Sequence, residues 1–491
     1  MSHTHNGLSM LRFIKNRCFP KQTSIVETSM YIAHHLIDFS FRGIGYTSCF
    51  ILSVELFLTF YFNYIFQLKN MEDIFPVEIW MHIFKWIDTS KLMELRLVSR
   101  FFFNLIECIF NKSRKWKELA QSTIMPDFLN LTMQRAYPYY LGICNSNIDD
   151  PILWRGTYLS YKKWQKVLGK EHEKDFIAPM SSCGRITCIS TFDKYISIGL
   201  DNGFIENYST DDLKTPFYIV NCNIYVKQTA FWYTNDQVLV VIVRKDNALK
   251  FLDLQNKVEI STPGFFANCI SYGEFRHFCI GDMNGILTSY EKFENNIVAG
   301  QTFNLDLMES EIVLSHFCNG QRISALSYCN GRTNFHYCLI TFESDRLSNI
   351  KYIYISPSLL TVPRLLRPTL KNIVVPTDAF YFGIGKNKIG STHHCYDRWY
   401  RIDLTKYFGC CITSMMIHAQ ILIFGLEDGS IYMLHIEHYN DILSLKKKKL
   451  RNAIKIEVDT LPIIKLNILE VDKKTCIIAS TESRVYLINF F

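Results

Sequence analysis

The carboxyl-terminal two-thirds of this 491-residue chain repeats one short pattern of strands and turns. Three copies begin at Ile186 (ITCISTFDKYISIGLDNGFIENYS), Cys269 (CISYGEFRHFCIGDMNGILTSYE) and Ile412 (ITSMMIHAQILIFGLEDGSIYMLHI). Each copy has β-branched and aromatic runs around an Asn-Gly or Asp-Gly turn, which supplies the positive φ angles of a tight hairpin. A unit this small cannot bury its own apolar side chains, so each copy must pack against its neighbours.

The spacing of these turns predicts the number of repeats. Clear copies of the turn span Gly199–Gly203, Gly281–Gly285 and Gly425–Gly429, and weaker copies span Val243–Asn247 and Ala479–Ser483. The long interval between the second and third clear copies leaves room for two more units. The total is about seven units of about 40–50 residues, which is the period of four-stranded propeller blades. The sequence therefore predicts an all-β propeller of about seven blades over residues 178–491.

These repeats resemble degenerate WD40 repeats. The Trp-Asp dipeptide and the Gly-His pair of regular WD40 repeats are missing, and the corresponding strands end at Asn207-Tyr208, Leu252-Asp253 and Leu487-Ile488. The resemblance implies a WD40-like β-propeller whose face holds a target protein. Another repetitive all-β fold is the alternative.

A second informative stretch, FPVEIWMHIFKWIDTSKLMELRLVSRFFFNLIE, runs from Phe75 to Glu107. Pro76 suits a first helical position, because its missing N–H would be unpaired there in any case. One apolar stripe is predicted to recur every four residues at Ile79, Ile83 and Ile87, with Phe84 and Trp86 broadening it. The stretch therefore begins with an amphipathic helix.

Two more short helices are predicted to follow. Ser90 is the expected N-cap of the second helix and Ser99 that of the third, since a serine hydroxyl accepts hydrogen bonds from first-turn N–H groups. The second apolar stripe is Leu92, Leu95 and Val98. Three helices of about ten residues cannot enclose this much apolar surface among themselves. The excess must pack against the chain's second domain or against a partner.

The order and spacing of these residues resemble the F-box motif over about forty residues. Phe75 replaces the usual leucine, and Lys91 replaces an aspartate that commonly precedes the second helix; Val98-Ser99-Arg100 matches the end of the motif. The resemblance implies a docking surface for the adaptor subunit of a cullin–RING ubiquitin ligase. The positions of this chain that match the motif are Phe75, Pro76, Ile79, Ile83, Leu92, Leu95 and Val98.

Residues 118–177 are predicted to form a helical linker. Within Leu153–Leu168, the large side chains of Trp154, Tyr158 and Tyr161 share one helical face, and Trp164 extends it. The arrangement is similar to the one with which F-box proteins brace the motif on the next domain. A plain amphipathic helix is the alternative.

Residues 1–70 form a hydrophobic extension. The stretch Ile44–Phe66 has about 23 residues, which is long enough to cross a bilayer. Glu55 near its middle opposes insertion, and the basic residues before it favour an orientation that would place the rest of the chain outside the cytosol. Three alternatives stay open: a non-native upstream start with Met71 as the first residue, a poorly packed tail, and a membrane anchor.

Composition argues against several classes of protein. The 16 cysteines form no C-x-x-C pair, so we expect reduced thiols in a reducing compartment. The one candidate metal cluster, His393-His394-Cys395, lacks a second pair of ligands.

The net charge of +7 comes from interspersed Lys and Arg (53) and Asp and Glu (46), which argues against a dedicated nucleic-acid binder. The basic run Lys446–Arg451 is interpreted as a solvated loop, with a nuclear-import signal or a nucleic-acid contact as alternatives.

Catalysis has little support in the sequence. The glycines of GIGKNKIG, at Gly383–Gly390, do not have the spacing of a dinucleotide fingerprint or a P-loop. No G-x-S-x-G or H-E-x-x-H motif occurs. Arg185 and Arg322 begin strands at matching places of two repeats, and paired guanidinium groups there would suit a phosphorylated or acidic peptide. Ordinary surface arginines are the alternative.

The sequence thus predicts a multidomain chain with a small all-α part and an all-β propeller. Its expected parts are the extension (1–70), the F-box (71–117), the helical linker (118–177) and the WD40-like propeller (178–491). The predicted role is substrate recognition in a cullin–RING ligase, with no catalysis, no cofactor and no nucleic-acid partner, in the cytoplasm, the nucleus or both. The alternative is a propeller scaffold outside any ligase, with or without a membrane tether through residues 44–66.

Overall fold

The computed structural model describes residues 76–139 and 150–491 with short gaps, and side chains between 305 and 406 lie outside the description. The gaps in the second range are 182–183, 235, 261–263, 265, 273–277, 294–295, 305–309, 319–321, 331–334, 344–345, 356–373, 378–379, 386–387, 394–399, 404, 438–440, 442–449, 451 and 472–473. The hydrophobic extension and the basic run at 446–451 therefore lie outside the described residues, apart from Leu450. In the described part of the chain, no helix is long and apolar enough to cross a membrane.

The chain divides into two compact units, Met1–Leu119 and Ala120–Phe491. Helices dominate the described part of the first unit and the start of the second. They are α1 (Val77–Trp86), α2 (Thr89–Leu95), α3 (Arg100–Lys112), α4 (Lys115–Thr123), α5 (Pro126–Ala136), α6 (Pro151–Val167) and the short α7 (Thr405–Phe408).

Antiparallel strands make up the rest of the second unit. In chain order they are β1 (His172–Ile177), β2 (Ile186–Phe192), β3 (Tyr195–Leu200), β4 (Phe204–Ser209), β5 (Tyr218–Asn221), β6 (Val226–Thr234), β7 (Gln237–Arg244), β8 (Leu249–Asp253), β9 (Val258–Ile260), β10 (Cys269–Tyr272), β11 (Phe278–Gly281), β12 (Ile286–Phe293), β13 (Asn296–Asn304), β14 (Ser310–Cys318), β15 (Arg322–Asn330), β16 (Phe335–Glu343), β17 (Arg346–Ile355), β18 (Val374–Thr377), β19 (Phe380–Gly385), β20 (Lys388–His393), β21 (Tyr400–Asp403), β22 (Ile412–His418), β23 (Ile421–Leu426), β24 (Ser430–His435), β25 (Ile454–Glu457), β26 (Lys465–Val471), β27 (Lys474–Ser480) and β28 (Val485–Phe490).

Among the described residues, these strands form five four-stranded sheets and one eight-stranded sheet. Consecutive strands pair in order within the sheets β2–β5, β6–β9, β18–β21 and β22–β25. The eight-stranded sheet joins β10–β13 to β14–β17 through one parallel pair, β10 with β14. The last sheet is closed by an early strand, because β1 pairs with β28 from His172 opposite Phe490 to Ile177 opposite Val485.

The first strand of each sheet lies next to the first strand of the neighbouring sheet. Strand β2 contacts β6 and β26, β6 contacts β10, and β22 contacts both β18 and β26. Buried apolar side chains fill the spaces between sheets, so both faces of a strand such as β7 are apolar. This succession of small twisted sheets, with the amino-terminal strand completing the last one, is compatible with a β-propeller.

The sequence repeats become repeated contacts between sheets. In β2, the Thr187 hydroxyl donates to the carbonyl oxygens of Gly199 (3.0 Å) and Val226 (2.6 Å). In β22, Thr413 lies in the same way, 3.0 Å from the Gly425 oxygen and 2.6 Å from the Ile463 oxygen. The Ile-Thr pair that opens two of the repeats therefore ties each sheet to the start of the next.

The predicted turns are confirmed where the structure describes them. Gly203, Gly285 and Gly429 have φ angles of 90°, 79° and 79°, and Asn247 in one weaker copy has 64°. GIGKNKIG supplies the facing strands of a hairpin, β19 and β20, with Gly383 opposite Gly390. Such a hairpin is not the strand–loop–helix unit of a dinucleotide site.

Candidate functional site

The three helices α1–α3 enclose a small aromatic core. The Phe102 ring from α3 lies 4.9 Å from Trp80 and 5.1 Å from Phe84, measured between ring centroids, with edge-on geometry in both pairs. All three side chains are at most 1% exposed. Edge-on aromatic pairs add about 0.5–1.5 kcal/mol each to the free energy of burial. This core fixes the angle between α1 and α3.

The starts of α2 and α3 are capped by side chains. The Ser99 hydroxyl accepts from the Phe102 N–H at 3.1 Å, as predicted. Ser90 was the wrong cap for α2, because the helix begins one residue earlier and the Asp88 carboxylate accepts from the Ser90 N–H at 3.0 Å. Hydrogen bonds from Ser90 hold the pKa of Asp88 below its ordinary value. Pro76 is the N-cap of α1 and not its first helical residue.

Helix α1 carries two apolar stripes, and the structure shows which of them is buried, a choice that the sequence left open. The buried stripe is Trp80, Phe84 and Ile87. Ile79 and Ile83, one position earlier, are only half-buried. The two stripes are about 100° apart around the helix axis, and the face with the two large aromatic side chains is buried because aromatic rings remove more apolar area from water.

The second apolar stripe of α1 lies at the side of this core and is partly open to solvent, and we call it the outer stripe. Its members, spaced by four and three residues, are Ile79, Ile83 and Trp86. Trp86 is 64% exposed, and its ring lies 6.3 Å from the ring of His82. Trp86 was expected to broaden the stripe of Ile79 and Ile83, and it lies on the same side of the helix as they do.

The residues that match the F-box motif divide into surface and core positions. Pro76 is exposed, and Leu95 and Val98 are half-buried like Ile79 and Ile83. Leu92 is wholly buried, so it holds the helices together and offers no contact to a partner. Phe75 lies outside the described residues. Sequence reasoning did not single out two exposed apolar side chains of this unit, Val77 (45%) and Leu97 (85%).

A nearly buried ion pair joins the end of α2 to α3. The Arg96 guanidinium lies 2.6 Å from the Glu107 carboxylate, and the two side chains are 12% and 13% exposed. Arg96 also stacks on the Phe103 ring, 4.5 Å from its centroid. The contacts tie the end of α2 to α3 and so position the segment that carries Leu97.

The two arginines proposed as a peptide site have different surroundings. Arg185 precedes β2 and is 73% exposed, and its guanidinium lies 3.6 Å from the Glu482 carboxylate. Its backbone N–H donates to Asp201 at 2.8 Å. Arg322 begins β15, opposite Glu343 in the register, but its side chain lies outside the description. The pairing of these arginines in one site stays a prediction.

A buried carboxylate joins helix α6 to the strands. Glu470, in β26, accepts from the Trp164 indole N–H at 2.6 Å and from the Ser160 hydroxyl at 2.5 Å. Its carboxylate also lies 3.0 Å from the His418 Nε2. Burial alone would raise the pKa of Glu470, but these hydrogen bonds outweigh burial and lower it. Burial lowers the pKa of Arg135 to about 10, and the negative charge of Glu470 partly opposes this fall.

Further contacts hold the linker helices at one end of the sheets. The Gln165 side chain donates to the Ala419 oxygen at 2.7 Å, in the turn between β22 and β23. Tyr161 bonds to Gln420 in the same turn. The Tyr139 hydroxyl donates to Asp193 at 2.8 Å, in the turn between β2 and β3. The aromatic face predicted for α6 is thus confirmed as its buried face, and it packs at the ends of the first hairpins of several sheets.

The described residues offer no cluster of side chains suited to bind a metal ion. They hold no cluster of three His, Cys, Asp or Glu side chains that could ligate a metal. Of the candidate His393-His394-Cys395, the last two lie outside the described residues. Eight cysteines of the described residues are not in disulfide bonds, and burial raises the pKa of the Cys476 thiol to about 12. A thiol of that kind is unreactive.

Comparisons with known proteins add a structural likeness only. No protein-family model matches the chain, and no curated protein matches it. Among solved structures, the chain is similar to Sqt1 of Saccharomyces cerevisiae, with 9% sequence identity and a TM-score of 0.45. The match covers 64% of this chain and 98% of Sqt1.

Proposed function

We propose that the chain is a substrate receptor of a cullin–RING ubiquitin ligase. In this proposal the helices α1–α3 dock the ligase adaptor, and the sheets form a propeller of seven blades that holds a target protein. The chain itself is non-catalytic, binds no cofactor, and acts in the cytoplasm, the nucleus or both. Its contribution is to hold the target near the charged conjugating enzyme, where proximity speeds transfer.

One observation carries the proposal: the positions that match the F-box motif are mostly surface positions. Apolar side chains at Ile79, Ile83, Leu95 and Val98 keep part of their area in water although α1–α3 already have a closed core. Interfaces of standard size rest on a few central apolar anchors of this kind. Apolar area left at the surface of this unit is available to a partner protein.

Co-purification with the adaptor tests this role. The variant Ile79→Asp/Leu95→Asp places two carboxylates on the proposed surface and leaves the Trp80 and Phe102 core intact. We expect the wild-type chain to retain the adaptor and the variant to lose it. The matched control is Ile152→Asp, at a 69% exposed position of α6, which should retain the adaptor. Equal retention by the wild-type chain and the Ile79→Asp/Leu95→Asp variant would refute the docking role.

A further inference from the structure

The outward face of helix α6 carries basic and apolar side chains together. The helix buries its aromatic face against α5 and the strands. Six other side chains share an arc of about 100° on the opposite side of the helix. They are Ile152, Arg155, Leu159, Lys162, Lys163 and Lys166. Helix α6 contains no Asp or Glu, so no acid within the helix offsets its basic residues.

The lysines at the end of this face are not used in ion pairs. Lys162 and Lys166 are exposed and lie one turn apart, about 6 Å along the helix axis. Lys170 is half-buried in the turn that follows the helix. In the described part of the chain no carboxylate forms an ion pair with any of the three. The Lys162 ammonium instead lies 5.6 Å from the centroid of the Tyr158 ring.

The first half of the same face is apolar. Ile152 is 69% exposed and Leu159 is 38% exposed. They are seven residues apart, which places them on the same side of the helix two turns apart, about 10 Å along its axis. Apolar residues at this spacing are the positions through which one helix packs against another. The face thus offers two apolar contacts followed by a group of cations.

Carboxylates around this face limit what can bind to it. Asp150 caps the start of α6, Glu171 and Glu173 follow Lys170, and Glu437 adjoins the turn that contacts α6. Glu470 lies on the buried side of the helix. A broad anionic surface, such as a bilayer or a nucleic-acid duplex, would meet the flanking carboxylates together with the lysines. A single helix is only about 10 Å wide and would contact α6 alone.

We propose that the outward face of α6 binds an acidic amphipathic helix of a partner protein. Carboxylates four residues apart on that helix pair with Lys162 and Lys166, and apolar side chains seven residues apart cover Ile152 and Leu159. The apolar contacts supply most of the binding free energy, and the charged pairs select the partner and its orientation. The inference does not require the ligase role, because the adaptor is assigned to α1–α3 and this partner to α6.

Fluorescence anisotropy of a labelled probe peptide with the full chain tests the proposal. The probe is a stapled helix of about five turns, with glutamates four residues apart beside two leucines seven residues apart. A scrambled peptide of the same composition is its control. We expect the chain to bind the probe and not the scrambled peptide. Added salt should weaken binding, because the charged pairs are exposed.

Reversing the charge of the face should abolish most of this binding. In Lys162→Glu/Lys166→Glu, like charges oppose each other, so we expect the affinity for the probe to fall at least about tenfold. The matched control is Lys214→Glu/Lys245→Glu, which makes the same change of net charge at exposed lysines elsewhere in the second unit and should bind as the wild-type chain does. The fluorescence of the buried Trp164 reports whether each variant is folded.

Three results would overturn the proposal. The first is absence of probe binding by the folded wild-type chain. The second is an equal affinity of Lys162→Glu/Lys166→Glu and the control variant, which would show that only net charge matters. The third is binding of duplex DNA or of vesicles containing phosphatidylserine in place of the probe, which would assign the face to another class of anionic partner.

Discussion

At the scale of single residues, the fold depends on glycines at the places where neighbouring sheets meet. Gly199 and Gly425 occupy corresponding places in two repeats, and a Cβ atom at either would collide both with the paired strand of its own sheet and with the start of the next sheet. At Gly199 it would lie 2.6 Å from the Cys188 sulfur and 2.7 Å from Val226 Cγ1. At Gly425 it would lie 2.6 Å from Ile463 Cγ2. The close packing of strands around them therefore requires glycine at both positions, whereas the turns that follow depend on Gly203 and Gly429.

We expect Gly199→Ala to lower the free energy of unfolding by about 1–3 kcal/mol, because overpacking a buried junction forces the neighbouring sheets apart. Denaturant unfolding followed by tryptophan fluorescence measures the change. Gly169→Ala is the matched control, since the nearest atom to its added Cβ is a backbone oxygen at 3.9 Å. A loss in Gly199→Ala no greater than in the control would contradict the account.

Glu470 should make the stability of the second unit depend on pH. Its pKa in the folded chain lies below the ordinary value of 4.5, so its ionised form stabilises the fold fully above that value. The contribution is lost as the pH falls through the lower pKa of the folded state. In Glu470→Gln we expect a loss of about 1–3 kcal/mol at neutral pH and a flatter stability profile below pH 4.5. If the free energy of unfolding changed with pH in the same way in the wild-type chain and in Glu470→Gln, Glu470 would not be the group responsible.

At the scale of helices and strands, local sequence determines where elements begin. Asp88 starts α2 because its carboxylate accepts the Ser90 N–H. We expect Asp88→Ala to lower the free energy of unfolding of the helical unit by about 0.5–2 kcal/mol. Asp88→Asn should be nearly neutral, since an asparagine oxygen caps a helix equally well. Thermal unfolding by circular dichroism distinguishes the two, and equal losses would argue against a capping role.

Elements with strong local signals were predictable, and their orientation was not. The hairpin glycines, the cap at Ser99 and the aromatic face of α6 could all be read from spacing, because each depends on neighbours within a few residues. The choice between the two stripes of α1 depends on Phe102, which is distant in sequence. The partners of Glu470 come from α6 and β22, and no local pattern marks them. For the same reason Leu92 could not be told apart from Leu95 before the packing was known.

At the scale of the whole molecule, closure of the last sheet depends on β1. Ile177, at the end of β1, is 1% exposed and packs in a cluster with side chains of β2 and β27. We expect Ile177→Ala to lower the free energy of unfolding by about 2–5 kcal/mol, because it opens a cavity where the first and last sheets meet. Phe176→Ala, at a neighbouring position that is 55% exposed, should cost much less. Hydrogen exchange of β28 amides measures both, and equal exchange would show that β1 does not stabilise closure.

We propose that one non-catalytic chain joins a helical docking unit to a target-binding body. Calorimetric titration of the purified ligase adaptor into the full chain, and into a chain starting at Met71, tests it most directly. We expect one-to-one binding with a negative change in heat capacity, the sign of apolar burial. We also expect no binding to Ile79→Asp/Leu95→Asp. Absence of binding to both unmodified chains, each still folded, would contradict the ligase role.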